Sequence, residues 1–562
     1  MPERPVKEQQ QVEPRIYPAW VPFVIVFYGF ILRLLAFSQH ESIGVDSVRY
    51  ITFARNYLSG VFYNWGPTGL RELPDIGYPL LIVIWKGIFS GDLESTASWI
   101  SITVGTLTII FVYLLALKFC NRRQSIYAMF LTATCLPLIT FSALVQTESL
   151  FIFLLATNAF LAIIAKKREY NSFWFLIGGI CSAYAYLTRG IGITFLAIFP
   201  FAVWLPGFLD GDFKKALYKK RFIIGIIAFL FGFVLIALPY QIMMTKIYGR
   251  FVLSDQSIWH TPRMAHPEVN FSADPRYDGT LTADKNDYLI NTPEYYQLPK
   301  SSISTRVKAF IGNYLKNQIG IYYYHLRELF PPIFLFLIAL GLFASPWERG
   351  FKRGMIIFGI WSIPFLVFQP FFYTEARYVA PVAIFLIIIA GRGVVDLLNW
   401  LGGMFPKADK RRVEWIYAII LFVILTPVMI YPLTHRGPKY DYPDLHKAGS
   451  FLAEYISKNG GSGILSVTPI IGYYADTKPS FVLPRTDIQG VVDFAKKKNI
   501  RFIALEERKV YRNRPELREM LYTNLIPPGL NLIYDNRDNS GYRVRIFDIQ
   551  NADKKPARGA MN

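Results

Sequence analysis

The sequence predicts a polytopic α-helical membrane protein of about eleven spans, followed by a small soluble α/β domain. Three observations carry that reading. Hydrophobic residues make up 53% of the 562 and charged ones 18%, against roughly 45–50% and ~25% in soluble globular chains. Apolar runs of spanning length recur along residues 1–433 and stop there. Short basic clusters fall between the runs, at Lys118 to Arg123, Lys166 to Arg168, Lys214 to Arg221, Arg349 to Arg353 and Lys407 to Arg412. That is the pattern of cytoplasmic loops. An ordinary cytosolic enzyme and a disordered chain are both excluded, because this much apolar surface is buried in one protein only by placing much of it in lipid. The formal charge of +20 is largely topological, and no nucleic-acid partner is expected from it.

The runs begin near residues 19, 97, 126, 149, 173, 191, 222, 329, 354, 378 and 415. The first follows a polar tail with Arg4, Lys7 and Arg15 and has no small-residue cleavage site, so it reads as a retained signal anchor with a cytoplasmic amino terminus. The clusters ending at Arg168 and Arg221 both belong inside, so residues 173–209 go out and return, with Thr188-Arg189-Gly190 at the outer tip. An odd number of spans leaves the tail outside. Outer loops then cover about 38–96 and 241–328, with a turn at 136–148. The cytoplasmic side has short loops and no Gly-rich nucleotide fingerprint, so chemistry is expected at the outer face.

Residues 77–89 form an apolar run too short to span, which reads as interfacial or re-entrant. Val307, Phe310, Ile311, Tyr314 and Leu315 follow helical spacing, either on the membrane surface or packed on the protein. Within the tail domain, 434–562, helices are expected at 444–458 and 489–498 and strands at 464–467, 502–505 and 542–547. Gly460-Gly461-Ser462-Gly463 precedes a strand, which suits a turn and not a phosphate loop. Cys120, Cys135 and Cys181 are scattered in apolar segments and read as buried thiols.

Charged residues close to membrane depth are candidates for function by default. Asp46 lies just past the first span. As a carboxylate it could act as a general base, or it could cap a helix beginning near Val48. Arg49 could bind substrate or simply pair with Asp46 or Glu41. Tyr50, Tyr63 and Trp65 offer aromatic faces to a sugar or belong to an interfacial belt, as Tyr322-Tyr323-Tyr324 do. His260 and His266, beside Trp259, read as solvated loop residues.

Asp46, Arg49, Tyr50, Ala54 and Ser59-Gly60 together resemble the first-loop signature of the GT-C superfamily of polyprenyl-phosphate-sugar glycosyltransferases. The nearest look-alikes are the aminoarabinose transferase of lipid A and the protein O-mannosyltransferases. Gly77-Tyr78-Pro79-Leu80-Leu81 is similar to that family's entry to its next membrane segment, Leu187-Thr188-Arg189-Gly190 to its Leu-Thr-(Lys/Arg) turn, and Arg377-Tyr378 with Pro381 to its late Arg-Tyr element. The resemblance implies an inverting transfer from a polyprenyl-phosphate donor to an extracytoplasmic glycan, lipid or protein, with Asp46 as base. A phosphate leaving group needs positive charge near its oxygens. Arg189 and Arg377, both at outer ends of spans, are the candidates, with snorkelling to the interface as the plain alternative and Glu375 placed to orient Arg377. Where relatives often have Glu after the base this chain has Ser47, so a second acid would come from Glu148 or Asp75. Arg71 stands in for a Lys found in the aminoarabinose transferases. The Asp-x-Asp that oligosaccharyltransferases use for a divalent metal is absent from the first loop, so the resemblance does not carry over a required metal, although Asp46 and Glu148 could share a divalent cation. A transporter or flippase is the alternative class, but such chains tend to show repeated halves and midplane sites, which this sequence lacks.

Overall fold

The computed structural model describes residues 17–60, 75–205, 220–248, 251–253, 302–371, 374–404, 409–435, 441–484, 486–523, 526–537 and 542–549. The amino-terminal part is a helical body: Val21–Ser38 (α1), Val45–Leu58 (α2), Gly77–Ile88 (α3), Leu93–Ala116 (α4), Arg122–Thr134 (α5), Leu136–Ala143 (α6), Thr147–Lys167 (α7), Ser172–Thr188 (α8), Phe195–Trp204 (α9) and Lys220–Tyr248 (α10). Ile303–Gly320 (α11), Pro332–Phe343 (α12), Arg349–Ile363 (α13), Ala376–Val379 (α14), Ala383–Gly403 (α15) and Lys410–His435 (α16) complete it.

Local chemistry sets several of these starts. Asp92 caps α4 by accepting from Ser95 N at 2.8 Å. Asn121 and Gln124 form a capping box beneath Arg122 and Arg123, which satisfies two of the otherwise orphaned amide donors of α5. Pro137 at the start of α6 breaks α5 from α6 with a 50° bend, and Pro331-Pro332 separates residues 310–329 from α12 by 109°.

These breaks revise the span count. Every predicted apolar run lies in a helix, yet six described helices are long and apolar enough to cross, or eight when each bent pair is one span. The hairpin of α8 and residues 190–204 has arms shorter than a full span each. The chain is a multi-pass membrane protein, with eleven spans not reached on this criterion. Glycines bring the helices close: a Cβ on Gly341 or Gly393 would strike the facing backbone of α15 or α12. Gly77–Ile88 is a 12-residue helix, as its short apolar run predicts. Within α11, Phe310 and Tyr314 stack on Phe371 at 4.8 and 4.4 Å, whereas Val307, Ile311 and Leu315 are exposed, so one face packs on the protein and another stays open.

The tail folds as a five-stranded sheet, order β2-β1-β3-β5-β4, with Ile464–Ser466 (β1), Ser480–Val482 (β2), Phe502–Glu506 (β3), Leu530–Arg537 (β4) and Arg543–Ile549 (β5). β1 pairs in parallel with β2 and β3, and β5 runs antiparallel to β3 and β4. The helices Pro443–Asn459 (α17) and Ile488–Lys497 (α18) match the predicted ones closely. Gly460, Gly461 and Gly463 all have positive φ, so the glycine run is a turn, as its position before β1 suggests.

Inside the sheet, burial pushes the Glu506 carboxyl up to about 7, against hydrogen bonds from Thr468 N and Oγ1 that favour the charged form. The folded pKa is raised, so its stabilisation is complete below the unfolded value of 4.5 and is lost as pH rises through about 7. Glu506→Gln should remove about 3 kcal/mol of pH dependence in the stability of the sheet. Hydrogen exchange of β1 and β3 amides at pH 4.5 and 8, corrected for intrinsic rates, reads this directly. Equal pH dependence in both proteins would show that Glu506 is not the titrating group.

The tail grips the segment leading into α2. Asp441 accepts from Glu41 N at 3.1 Å and Ser42 Oγ at 2.5 Å, Tyr474 Oη accepts from Ile43 N at 3.0 Å, and Arg55 pairs with Asp476 at 3.2 Å. The sheet and α2 therefore lie on the same side of the helical body.

Candidate active site

Four segments distant in sequence meet beside that grip. Gly44, with extended backbone, caps α2 without any side-chain bond, so Asp46 is not the helix cap. It sits in the first turn, where the helix dipole favours a carboxylate. Its side chain is 42% exposed, and its Oδ2 accepts from Arg377 Nη1 at 2.8 Å. The same Arg377 nitrogen is 3.9 Å from Glu148 Oε1, and Arg377 Nε is 2.7 Å from Glu375 Oε2. Arg189 Nη1 donates to Glu148 Oε1 at 2.9 Å.

Burial separates the two carboxylates. Glu148, 4% exposed, is held between two arginines that are 10% and 19% exposed, whereas Asp46 opens to solvent. Tyr378 lies against both cations, 4.8 Å from the Arg189 guanidinium and 5.1 Å from that of Arg377. Tyr50 packs edge-on against Tyr78 at 5.6 Å. Burial, and then the charges of Asp46 and Glu148, push the Tyr50 phenol well above its usual range, so it stays protonated. Arg49 and Asp75 act on that phenol as charges of opposite sign.

The Arg189 turn is fixed by its backbone. Arg189 N donates to Ala185 O at 2.9 Å, and Gly192 N donates to Arg189 O at 2.8 Å. Two sequence motifs clamp it from the side: Tyr184 Oη donates to Gly77 O at 2.7 Å, and a Cβ on Gly77 would lie 2.6 Å from Thr188 Oγ1 and 2.7 Å from Thr188 N. Backbone cannot yield cheaply at that distance. Gly77→Ala should therefore cost about 1–3 kcal/mol and displace Arg189. Thermal denaturation in detergent checks this; wild-type stability would mean that the contact relaxes freely.

The structure thus brings Asp46, Glu148, Arg189, Glu375, Arg377 and Tyr378 together, with Tyr50, Arg49 and Asp75 on the adjoining edge. Arg71, Tyr63, Trp65, Trp259, His260 and His266 lie outside the described residues. Tyr322, Tyr323 and Tyr324 are more than half exposed, consistent with an interfacial belt. A guanidinium nitrogen occupies the position between Asp46 and Glu148, so this pair as arranged does not fit a shared divalent cation. Sequence reasoning missed Phe151, whose ring faces Arg189, and the tail residues Asp441 and Tyr474 that fix the approach to α2. No local signal marks them, because Phe151 acts across 38 positions and Asp441 and Tyr474 across about 400 or more.

A family model of dolichyl-phosphate-mannose-protein mannosyltransferases matches residues 76–243, from α3 through most of α10. No curated protein matches the chain significantly. Among solved structures, the fold is similar to that of the oligosaccharyltransferase AglB from Archaeoglobus fulgidus in complex with an inhibitory peptide and a dolichol-phosphate, at TM-score 0.53 and 14% identity, over 96% of this chain and 76% of that one. The apo form of the Archaeoglobus fulgidus oligosaccharyltransferase gives 0.52 and 16%, over 95% and 74%. ArnT from Cupriavidus metallidurans bound to undecaprenyl phosphate gives 0.50 and 13%, over 94% and 98%. The chain has the GT-C fold, as the ordered motifs imply.

Proposed function

We propose that the protein transfers a sugar from a polyprenyl-phosphate donor to an extracytoplasmic acceptor with inversion at the anomeric carbon. Residues 1–433 form the catalytic body and 434–562 an outer domain, with the amino terminus cytoplasmic. The carrying observation is that a solvent-open carboxylate, Asp46, shares one arginine with a buried carboxylate, Glu148, at one end of the helical body. Two arginines in that position provide the positive charge that a departing phosphate needs. The fold likeness to proteins solved with dolichol-phosphate and undecaprenyl phosphate supports the donor class.

The donor's phosphate competes with Asp46 for Arg377. When it takes that guanidinium, Asp46 is released to accept the proton of the acceptor hydroxyl or amine. The new bond forms to the anomeric carbon as the carbon–oxygen bond to phosphate breaks, and the electron pair leaves on the phosphate oxygen, held by Arg377 and Arg189. Glu148 is too buried to touch an acceptor. It positions the two arginines, and Glu375 and Tyr378 hold Arg377 from its other sides. Arg49, Tyr50, Arg71 and Asp75 bind the sugar and acceptor.

Arg377→Ala should weaken binding of polyprenyl phosphate by about tenfold or more, the loss of a charge-assisted contact. The function as a whole is tested by mass spectrometry of membrane lipids from cells lacking the protein. They should accumulate a polyprenyl-phosphate sugar and lose one glycan. Unchanged lipids and glycans would overturn the assignment.

A further inference from the structure

Helix α11 presents three sides of different chemistry. At about 100° per residue, Phe310, Tyr314, Asn317 and Gln318 share the first side, which is fastened to the segment leading into α14. The two rings stack on Phe371, Asn317 Nδ2 donates to Pro370 O at 2.8 Å, and Gln318 Nε2 donates to Leu366 O at 2.8 Å. Val307, Ile311, Leu315 and Ile319 share the second side and are 49–64% exposed. Asn313 and Lys316 stand on the third, also exposed, and Lys308 lies near the far edge of the apolar side. A helix packed on protein and otherwise wet needs two sides; this one has an apolar side to spare.

The direction of the helix says what lies against that side. Residues 310–329 run at 109° to α12, and α12 packs closely on α15, part of a helical stretch of spanning length. Spans tilt ~20° on average from the bilayer normal, so a helix at this angle to one runs close to the membrane plane. It does not enter the hydrocarbon, because Asn313, Lys316, Arg327 and Glu328 are exposed along it. The exposed Tyr322, Tyr323 and Tyr324 follow the apolar side in sequence, and Ile333 and Phe336 are exposed on α12 just beyond them. A protein partner covering the apolar side would bury Lys308 with it, whereas in a membrane the lysine stem lies along apolar surface and the ammonium reaches the headgroups.

We infer that α11 lies in the plane of the membrane, with Val307, Ile311, Leu315 and Ile319 in the acyl boundary of one leaflet and Lys308 and Lys316 among its lipid phosphates. Its bonds to Leu366 and Pro370, with that of Thr374 Oγ1 to Asn317 Oδ1 at 3.4 Å, then hold the start of α14 at headgroup depth, and Arg377 with it. The phosphate of a polyprenyl-phosphate donor lies at that depth, a step that rests on the proposed function.

The test places spin labels on the full chain in nanodiscs of phosphatidylcholine and phosphatidylglycerol, at Ile311→Cys, Leu315→Cys and Asn313→Cys in turn, with Cys120, Cys135 and Cys181 replaced by alanine. Labels at 311 and 315 should relax faster with oxygen, which concentrates in lipid, than with a water-soluble nickel chelate, and the label at 313 the reverse. Nickel access at 311 and 315 equal to that at 313, or burial of both from either reagent by a second copy, overturns the inference. If the cysteine-free chain does not fold, a photoreactive benzoylphenylalanine at position 311 of the otherwise native chain should crosslink to lipid; crosslinks to protein alone overturn it equally. Ile311→Asp with Leu315→Asp should then weaken binding of polyprenyl phosphate in nanodiscs several-fold with thermal stability in detergent unchanged, and equal affinity would overturn the link to Arg377. The labelling contains no donor, so its failure leaves the proposed transfer standing, whereas a wild type that binds no polyprenyl phosphate counts against the transfer and not against the placement of α11.

Discussion

Asp46→Asn is expected to reduce sugar transfer by roughly 10²–10⁴-fold, the usual contribution of a general base, while donor lipid binds more tightly than to the wild type. The two halves have one cause. Asparagine keeps the shape of the side chain but neither takes a proton nor holds Arg377 as an ion pair. In the free protein Asp46 occupies Arg377 at 2.8 Å, so its charge competes with the incoming phosphate. Removing that competitor frees the guanidinium, which is still supported by Glu375 at 2.7 Å and Glu148 at 3.9 Å. Transfer assays and titration with polyprenyl phosphate read the two quantities separately. Full activity in the variant would remove Asp46 from the chemistry, and weaker donor binding would show that Asp46 helps hold the donor.

Glu148→Gln should cost about 3–5 kcal/mol of stability, because breaking a buried pair leaves one charge without its partner. Arg189 is the residue left exposed to that penalty, since its side chain is buried and its nearest carboxylate is Glu148 at 2.9 Å. Donor affinity should fall as well, as both arginines lose the negative charge that sets their spacing. A double variant, Glu148→Gln with Arg189→Met, should recover much of the stability and none of the donor affinity. Denaturation in detergent and lipid titration separate these outcomes. A single variant as stable as wild type would mean that the carboxylate does not hold Arg189.

Much of the body was legible because lipid imposes a strong rule. Every long apolar run became helix, and the short run after residue 77 became a short helix. The span count was not legible, since Pro137 and Pro331-Pro332 bend helices whose hydropathy reads as continuous. In the tail, β1, β3 and β5 carry runs of buried residues, whereas β2 has three residues and β4 mixes Asn, Asp and Arg into an irregular edge with a register shift. Continuous apolar runs therefore marked the centre of the sheet and not its edges.

The site was legible as residues and not as a network. Ordered motifs picked out Asp46, Arg189 and Arg377, but the pairing of Arg377 with Asp46 spans 331 positions and that of Arg189 with Glu148 spans 41. Such contacts depend on how helices cross. Asp46 does not cap its helix for a local reason: Gly44 takes the cap position, which leaves the carboxylate side chain to Arg377.

The most direct measurement is the anomeric configuration of the product made by the purified protein from a polyprenyl-phosphate sugar of defined anomer, read from proton coupling by NMR. One base and a phosphate leaving group predict a product of opposite configuration. Retained configuration would require a covalent intermediate on the protein and would contradict the single-displacement role given to Asp46.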